Sequence, residues 1–306
     1  MHFLKKELVK DGLIYKKPIN DDSLKKVADF YEQNPFPNYK EKDNKDSILK
    51  KGEKNFLTST FKEFMGYKKN ILEVGCGTGQ LALYFATATN NNVVGLDGTF
   101  KSLELASNFA KKNNINNINF VNADIFDDVL KEDFFDFIWC NGILHHTKDP
   151  YTAFQTLIKS LKNRGYVLIG LYNRFGRIRT IIRKYFYKVF GIKILNYLDP
   201  TVRNLKTDDK EIRSWIRDQY HHPIENLHTI DEVLNWFSLN NIDYVNSIPS
   251  CTFEERVGDD LKKTFFNKHS KGNFFSRLLN QFNMIFNNLG SDGGLFVVIG
   301  KKNDQS

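Results

Sequence analysis

The chain has 306 residues, 41% of them apolar and 14% aromatic, which suffices for one large α/β domain with insertions or for two small domains. Three distant cysteines (Cys76, Cys140, Cys251), a start without an apolar leader and the lack of a stretch of about 20 apolar residues exclude a disulfide framework, a cysteine zinc site and a membrane span, so a cytoplasmic location is expected. The formal charge of +8 is concentrated, with twelve Lys/Arg against five Asp/Glu between residues 171 and 220, and such a surface suits an anionic small molecule, an anionic membrane or nucleic acid as well as a plain solvated helix face.

Residues 22–33 read as a short helix capped by Asp22 or Ser23, with Leu24, Val27, Phe30 and Tyr31 at helical spacing; the prolines of "NPFPN" (34–38) end it. A second helix is predicted over 55–67. From residue 70 strands alternate with helices. "NILEVG" is a strand entering a glycine turn, followed by a helix over 79–89, a strand over 92–97 and a helix from Thr99 to Asn113. Strands over 118–124 and 135–141 follow, then a helix opened by Asp149-Pro150 and a strand over 165–173. This alternation implies a parallel sheet wound on both faces. After Asn173 the rhythm breaks for over fifty residues that are basic, aromatic and helical in pattern. Thr229 and Glu232 form a capping-box pair opening a helix to Asn240. A sixth strand covers 242–248, two helices fall within 249–290, and a last strand covers 293–300. The expected division is an N-terminal helical cap (1–68), a Rossmann-like core (69–173), a basic helical insertion acting as a lid or substrate region (174–229), and the rest of the core with its own insertion (230–306).

The chemistry is carried by "ILEVGCGTGQ" (71–80), a strand, a glycine turn and a helix start. A nucleoside-bearing cofactor must lie close to the backbone at the carboxyl edge of the sheet. Gly75, Gly77 and Gly79 remove obstructing side chains and accept positive φ, and the helix N-terminus offers free N–H groups. Counted from Gly75, a dinucleotide fingerprint needs glycine where Gln80 stands, so a nicotinamide cofactor is disfavoured; no G-K-S/T follows, which excludes a phosphate-binding loop. Asp97 ends the second strand, where a carboxylate suits a ribose diol, and Asp124 ends the third.

Residues 71–147 resemble the class I S-adenosylmethionine-dependent methyltransferases. "LEVGCGTG" is similar to the family's first motif, and "GLDGT" (95–99), "NADIFD" (122–127) and "FDFIWCNGILHHT" (135–147) to its later ones in order. The resemblance implies an α/β fold with a doubly wound, seven-stranded, mostly parallel sheet and an antiparallel last strand, which "GGLFVVIG" (293–300) is similar to. It implies S-adenosyl-L-methionine as cofactor. Glu73, Gly75, Cys76, Gly77, Thr78 and Gly79, with Gln80 heading the helix, would line the methionine end. Asp97 with Gly98 would hold the ribose, Asp124 with Ile125 the adenine, and Asn141 and Gly142 would face the cofactor. "FYEQNPFPNY" (30–39) and "RDQYHHPIENLHT" (217–229) are similar to a bacterial subgroup of these enzymes.

Methyl transfer is in-line displacement, and the protein mainly positions and desolvates. A base is required when the acceptor is a hydroxyl or a protonated amine. His145 and His146, directly after the fourth strand, could serve as that base or pack the turn. His222 is a third candidate, in a segment with His221, Glu225 and His228 that could be a substrate-facing lid or a surface turn. Pro223 and the spacing match no common zinc motif, so no metal is expected. Tyr31 and Tyr39 could fold over the cofactor or staple the first helix to the sheet. Arg174, Tyr220 and His221 are candidate substrate contacts. Residues 181–198 mix basic residues with a wide apolar face, which could cover the domain itself, pair two subunits, or meet a membrane or lipid-like substrate. The expected activity is methylation of an oxygen or nitrogen of a small-molecule metabolite. The alternatives are an RNA or lipid-like acceptor bound through 174–217, and a cofactor-binding scaffold or regulatory subunit without turnover. RNA is disfavoured because no RNA-binding module is recognisable. Acceptor and oligomeric state do not follow from the sequence.

Overall fold

The computed structural model describes residues 3–5, 8–17, 39–204, 209–253, 260–287 and 294–304. The helix expected over 22–33, with Tyr31, lies outside them. A hairpin of β1 (Val9–Asp11) and β2 (Ile14–Lys16) opens the described chain. Its two-residue loop starts at Gly12, φ 61°, the glycine-first pattern that suits the twist of paired strands. Two helices follow, α1 (Lys45–Lys54) and α2 (Phe56–Met65). The first is largely polar and escapes apolar periodicity, yet Asn44 and Ser47 cap it reciprocally.

The core then runs β3 (Asn70–Val74), α3 (Gln80–Ala86), β4 (Asn92–Asp97), α4 (Phe100–Lys112), β5 (Ile118–Asn122), β6 (Phe135–Asn141), α5 (Pro150–Lys159) and β7 (Leu161–Tyr172). The basic insertion comprises α6 (Ile178–Phe190), α7 (Ile192–Leu198), α8 (Pro200–Asn204) and α9 (Asp209–His221). The chain ends through α10 (Ile230–Leu239), β8 (Ile242–Ile248), α11 (Asp260–Thr264), α12 (Phe274–Asn283) and β9 (Leu295–Lys302).

The nine strands of the described residues join one sheet in the order β1-β2-β5-β4-β3-β6-β7-β9-β8. Nine strands replace the seven expected. The seven from β5 to β8 form the anticipated core, with β9 antiparallel to both neighbours. The two extra strands are the N-terminal hairpin, whose β2 runs parallel to β5 and extends that edge. Residues 1–68 are therefore not a purely helical cap. The signal that was passed over is the Asp11-Gly12 pair between short apolar runs.

Alternation along each strand builds two cores. Leu72, Val74, Ile138 and Cys140 face α5 and α10, while Ile71, Phe137 and Trp139 face α2 and α3. Phe61 of α2 is fully buried among Phe85, Phe137, Trp139 and Phe266. The parallel arrangement brings the carboxyl ends of β3, β4, β5, β6 and β7 to one edge, where ligand crevices form in open α/β sheets. The insertion carries a small core of its own, Leu195, Val202, Ile216 and Tyr220.

Candidate active site

The glycine turn leaves β3 with φ of 67° at Gly75, 52° at Gly77 and 73° at Gly79. Gly75 and Cys76 N–H both donate to the Leu96 carbonyl, at 2.7 and 3.1 Å, so the turn is tied to β4. A Cβ on Gly75 would fall 2.1 Å from Ile143 Cδ1, and one on Gly79 2.8 Å from Ala106 Cβ. Glycine here thus answers both backbone conformation and close packing. Asp97 fixes the turn from the next strand, accepting from Gly77 N–H at 2.7 Å and from Thr99 N–H at 2.8 Å. Asn122 Nδ2 donates to the carbonyls of Asp97 and Gly98, holding the end of β5 against that of β4. Asp124 caps a 3-10 turn (Ile125–Asp127), accepting from Phe126 N–H at 2.8 Å. Tyr39 covers the turn from outside: its hydroxyl donates to the Thr78 carbonyl at 2.6 Å and its ring stacks on Phe109.

Several features fit a polar, nucleoside-bearing ligand at this edge. Glu73 is 7% exposed and its Oε2 has no hydrogen-bond partner among the described residues. Burial pushes its carboxyl up to about 8 against an opposing backbone donation from Ala82, and the nearby Asp97 adds to the rise. Burial also raises Asp97, against the N–H groups of Thr99 and Gly77. Asn141 Oδ1, at the end of β6, is likewise buried and unpartnered among the described residues. Added Cβ atoms on Gly98 and Gly142 would meet nothing within 4 Å, so both positions border open space. Unpaired buried acceptors are costly and uncommon, and at the carboxyl edge of an open α/β sheet a ligand ammonium or hydroxyl is a natural partner for them.

The histidines named from sequence gather at the neighbouring mouth. His145 is fully buried, its ring 4.1 Å from His146 and 3.9 Å from Tyr172 between centroids. Burial drives its pKa far down, so it is neutral and enclosed. His146 stacks on His222 at 3.6 Å. Both rings place Nδ1 at 2.7 Å from the Ile224 carbonyl, which can only accept; His146 therefore carries its proton on Nδ1, while His222 Nδ1 also lies 3.3 Å from the Ile224 N–H. For His146 this leaves the Nε2 lone pair unpartnered among the described residues. Burial lowers its pKa to about 4, against the bond to Ile224.

Residues 222–228 form a strap across the ends of β6 and β7. Asn226 N–H donates to the His145 carbonyl at 2.8 Å, and His228 N–H to the Tyr172 carbonyl at 2.9 Å. The anchor is Arg177, fully buried, which pairs with both oxygens of Glu225 at 3.0 and 2.9 Å. It also donates to Gln219 Oε1 at 2.6 Å and lies 3.9 Å over the Tyr172 ring. Burial pushes the Glu225 carboxyl up, but the guanidinium outweighs it and holds the group below its ordinary value. One ring, Tyr172, is thereby flanked by Arg177 and His145, which couples the insertion to the histidine cluster.

The structure brings together the glycine turn, Asp97, Tyr39, Asn141 and Gly142 at one edge, and His145, His146 and His222 beside it. It places other candidates elsewhere. Tyr220 belongs to the core of the insertion, its hydroxyl donating to Asp199 at 2.7 Å. His221 turns to the exposed side, with Nε2 3.0 Å from the Tyr187 hydroxyl. Arg174 is exposed, while its N–H donates to the His228 carbonyl at 3.0 Å. His228 Nδ1 lies 3.0 Å from Glu232, and no group of three or more metal-ligating side chains forms among the described residues. Arg177, Tyr172 and Gln219 were not singled out from sequence as a unit. A buried arginine looks like its exposed neighbours in a basic run; only the start of a helix directly after a core strand hinted at its place.

Fold and edge geometry together define a Rossmann-like domain built for S-adenosylmethionine. The family model described as "Methyltransferase domain" matches residues 67–241, more than half of the chain. The chain belongs to that family and carries an S-adenosylmethionine-dependent methyltransferase domain. Among curated proteins it is similar to the ubiquinone biosynthesis O-methyltransferase of Rickettsia akari, 32% identical over 35% of this chain and 41% of that protein. It is also similar to the 27-O-demethylrifamycin SV methyltransferase of Amycolatopsis mediterranei, 29% identical over 33% of this chain and 37% of that one. The alignments thus span about two fifths of these relatives. Among solved structures, PKMT2 from Rickettsia typhi in complex with AdoHcy shares the fold at TM-score 0.55 and 16% identity, over 82% of this chain and 53% of that one. Among the described residues no helix is long and apolar enough to cross a membrane.

Proposed function

We propose that the protein methylates an oxygen or nitrogen of a small molecule, with a hydroxyl as the favoured acceptor. The observation that carries this reading is a pair of buried acceptors without a partner among the described residues, Glu73 Oε2 and Asn141 Oδ1, on the strands that run into the glycine turn and Gly142. Bound S-adenosylmethionine supplies an activated methyl group; the chain supplies position, exclusion of water and a proton acceptor. Glu73 and the turn from Gly75 to Gly79 are assigned to the methionyl end, Asp97 to the ribose hydroxyls, and Asp124 with Ile125 to the adenine. Asn141 and Gly142 border the site of transfer. His146 is assigned to take the acceptor's proton on Nε2, because its Nδ1 proton is held by Ile224. With a pKa near 4 it is neutral throughout the physiological range, so a pH–rate profile above pH 5 should be flat for this group. A hydroxyl acceptor accords with the names of the two curated relatives described above. Their alignments cover only about a third of this chain, and acceptor selection is assigned to the strap and the insertion.

The test begins with thermal unfolding of ligand-free protein. A ligand at ~100 times its dissociation constant stabilises by about 2.7 kcal/mol. S-adenosylmethionine and S-adenosylhomocysteine should raise the midpoint, NAD should not, and Asp97→Ala should remove the shift. Transfer of labelled methyl to a panel of phenols, other alcohols and amines then identifies the acceptor. His146→Ala should slow transfer roughly 10²–10⁴-fold while leaving the thermal shift intact. A shift with NAD alone would overturn the reading of the turn. Cofactor binding without transfer to any acceptor of the panel would favour a scaffold over an enzyme.

A further inference from the structure

We propose that the outward face of α6 and α7 docks on an anionic lipid bilayer. Self-burial would be the ordinary fate of such a helix, yet within α6 only Thr180 is buried, and within α7 only Leu195. Ile182, Tyr185, Val189, Phe190, Ile192 and Tyr197 are each between 49% and 80% exposed. At 100° per residue, Ile182, Tyr185, Phe186 and Val189 fall on one stripe opposite Thr180. Arg179 and Lys188 lie on either side of that stripe. Beside it, Arg179 Nη1 reaches the Phe286 carbonyl at 3.4 Å just past α12, and Phe282 and Phe286 are exposed there too. A contiguous apolar area of this kind on a globular protein marks a contact site.

Charge selects the occupant. Between residues 178 and 198 every ionisable side chain of Lys, Arg, Asp or Glu is cationic: Arg179, Arg183, Lys184, Lys188 and Lys193. Arg183 and Lys184 turn toward Tyr220 and Glu225, which leaves Arg179, Lys188 and Lys193 to flank the outward face, and a second copy related by a two-fold axis would set these cations against their own kind, with no acidic residue in either segment. An anionic bilayer satisfies both halves of the surface. Its acyl boundary takes the aromatic and aliphatic stripe, and its phosphates take the flanking basic heads, whose stems can snorkel.

The experiment is vesicle co-sedimentation of the full chain. Vesicles of phosphatidylcholine with roughly 30% phosphatidylglycerol should retain the protein at ~0.05 M salt and release it at ~0.5 M, while pure phosphatidylcholine should retain little. The double variant Lys188→Gln/Lys193→Gln should lower partitioning about 30-fold, and Val189→Asp/Phe190→Asp should abolish it. Both change exposed positions, so the unfolding midpoint and the cofactor-induced shift should stay at their original values, which separates lost docking from lost folding. No retention on anionic vesicles at low salt by protein of normal midpoint would overturn the proposal. So would a solution dimer that Val189→Asp/Phe190→Asp dissociates while vesicle binding persists, which would assign the face to a second copy.

Discussion

Glu73→Gln offers the sharpest physical test of the site. Glu73 is enclosed at the end of β3, with one carboxylate oxygen unpartnered among the described residues and Asp97 nearby. Its carboxyl is pushed from an ordinary 4.5 up to about 8. The folded state therefore holds this proton more tightly than the unfolded chain. The associated stability is complete below pH 4.5 and is lost as pH rises through 8. Between pH 6 and pH 8 the loss from this one group is about 2 kcal/mol, from the two titration curves at 1.36 kcal/mol per pH unit. Glutamine has nearly the same shape, can still accept from the Ala82 backbone and does not titrate. Urea unfolding of ligand-free wild type and Glu73→Gln at pH 6, 7, 8 and 9 isolates the term, because other groups cancel in the difference. The variant should gain on the wild type by about 2 kcal/mol from pH 6 to pH 8. A difference that stays constant to within about 0.5 kcal/mol over that range would show that Glu73 is hydrated or paired, and the ligand-site argument built on its orphaned oxygen would fall with it.

Arg177→Met should destabilise by roughly 2–4 kcal/mol in urea unfolding, because it removes the fully buried partner of the half-buried Glu225 carboxylate; adding Glu225→Leu should recover a large part of that. A single-variant cost below about 1 kcal/mol would mean that the pair is solvated and does not anchor the strap. Gly75→Ala should cost at least about 1–3 kcal/mol and weaken cofactor-induced stabilisation, since φ of 67° and the Ile143 side chain 2.1 Å from the new Cβ both oppose it. Thermal unfolding with and without S-adenosylhomocysteine checks both effects, and an unchanged midpoint would refute the packing argument.

The core was legible because its signals are local. β4, β6 and β8 coincide with the strands read over 92–97, 135–141 and 242–248, since alternating burial and bounding turns lie within a few residues. The Thr229–Glu232 cap is present as read, with the hydroxyl accepting from Glu232 N–H at 3.2 Å. The glycine turn and Asp97 also announced themselves, because backbone conformation and strand ends constrain residue type directly. The helix expected to reach Lys162 ends at Lys159, and β7 begins at Leu161. Here pairing with β6 prevails over helical pattern, at an irregularity of register between Phe135 and Phe137.

What the sequence could not determine depends on contacts between distant residues. The parallel pairing of β2 with β5 joins segments a hundred residues apart and leaves no periodic trace in either. Three histidines in two segments read as alternatives for one role, and only the packing of the strap on the ends of β6 and β7 encloses His145 and sets His146 on the Ile224 carbonyl. Arg177 and Arg179 stand two residues apart in one basic run, yet one is fully buried on Glu225 and the other exposed. A helix with 100° between successive residues sends those two side chains to opposite sides, so the sequence by itself determined the cofactor-binding core, while tertiary packing decided which cation anchors the strap and which apolar face stays uncovered.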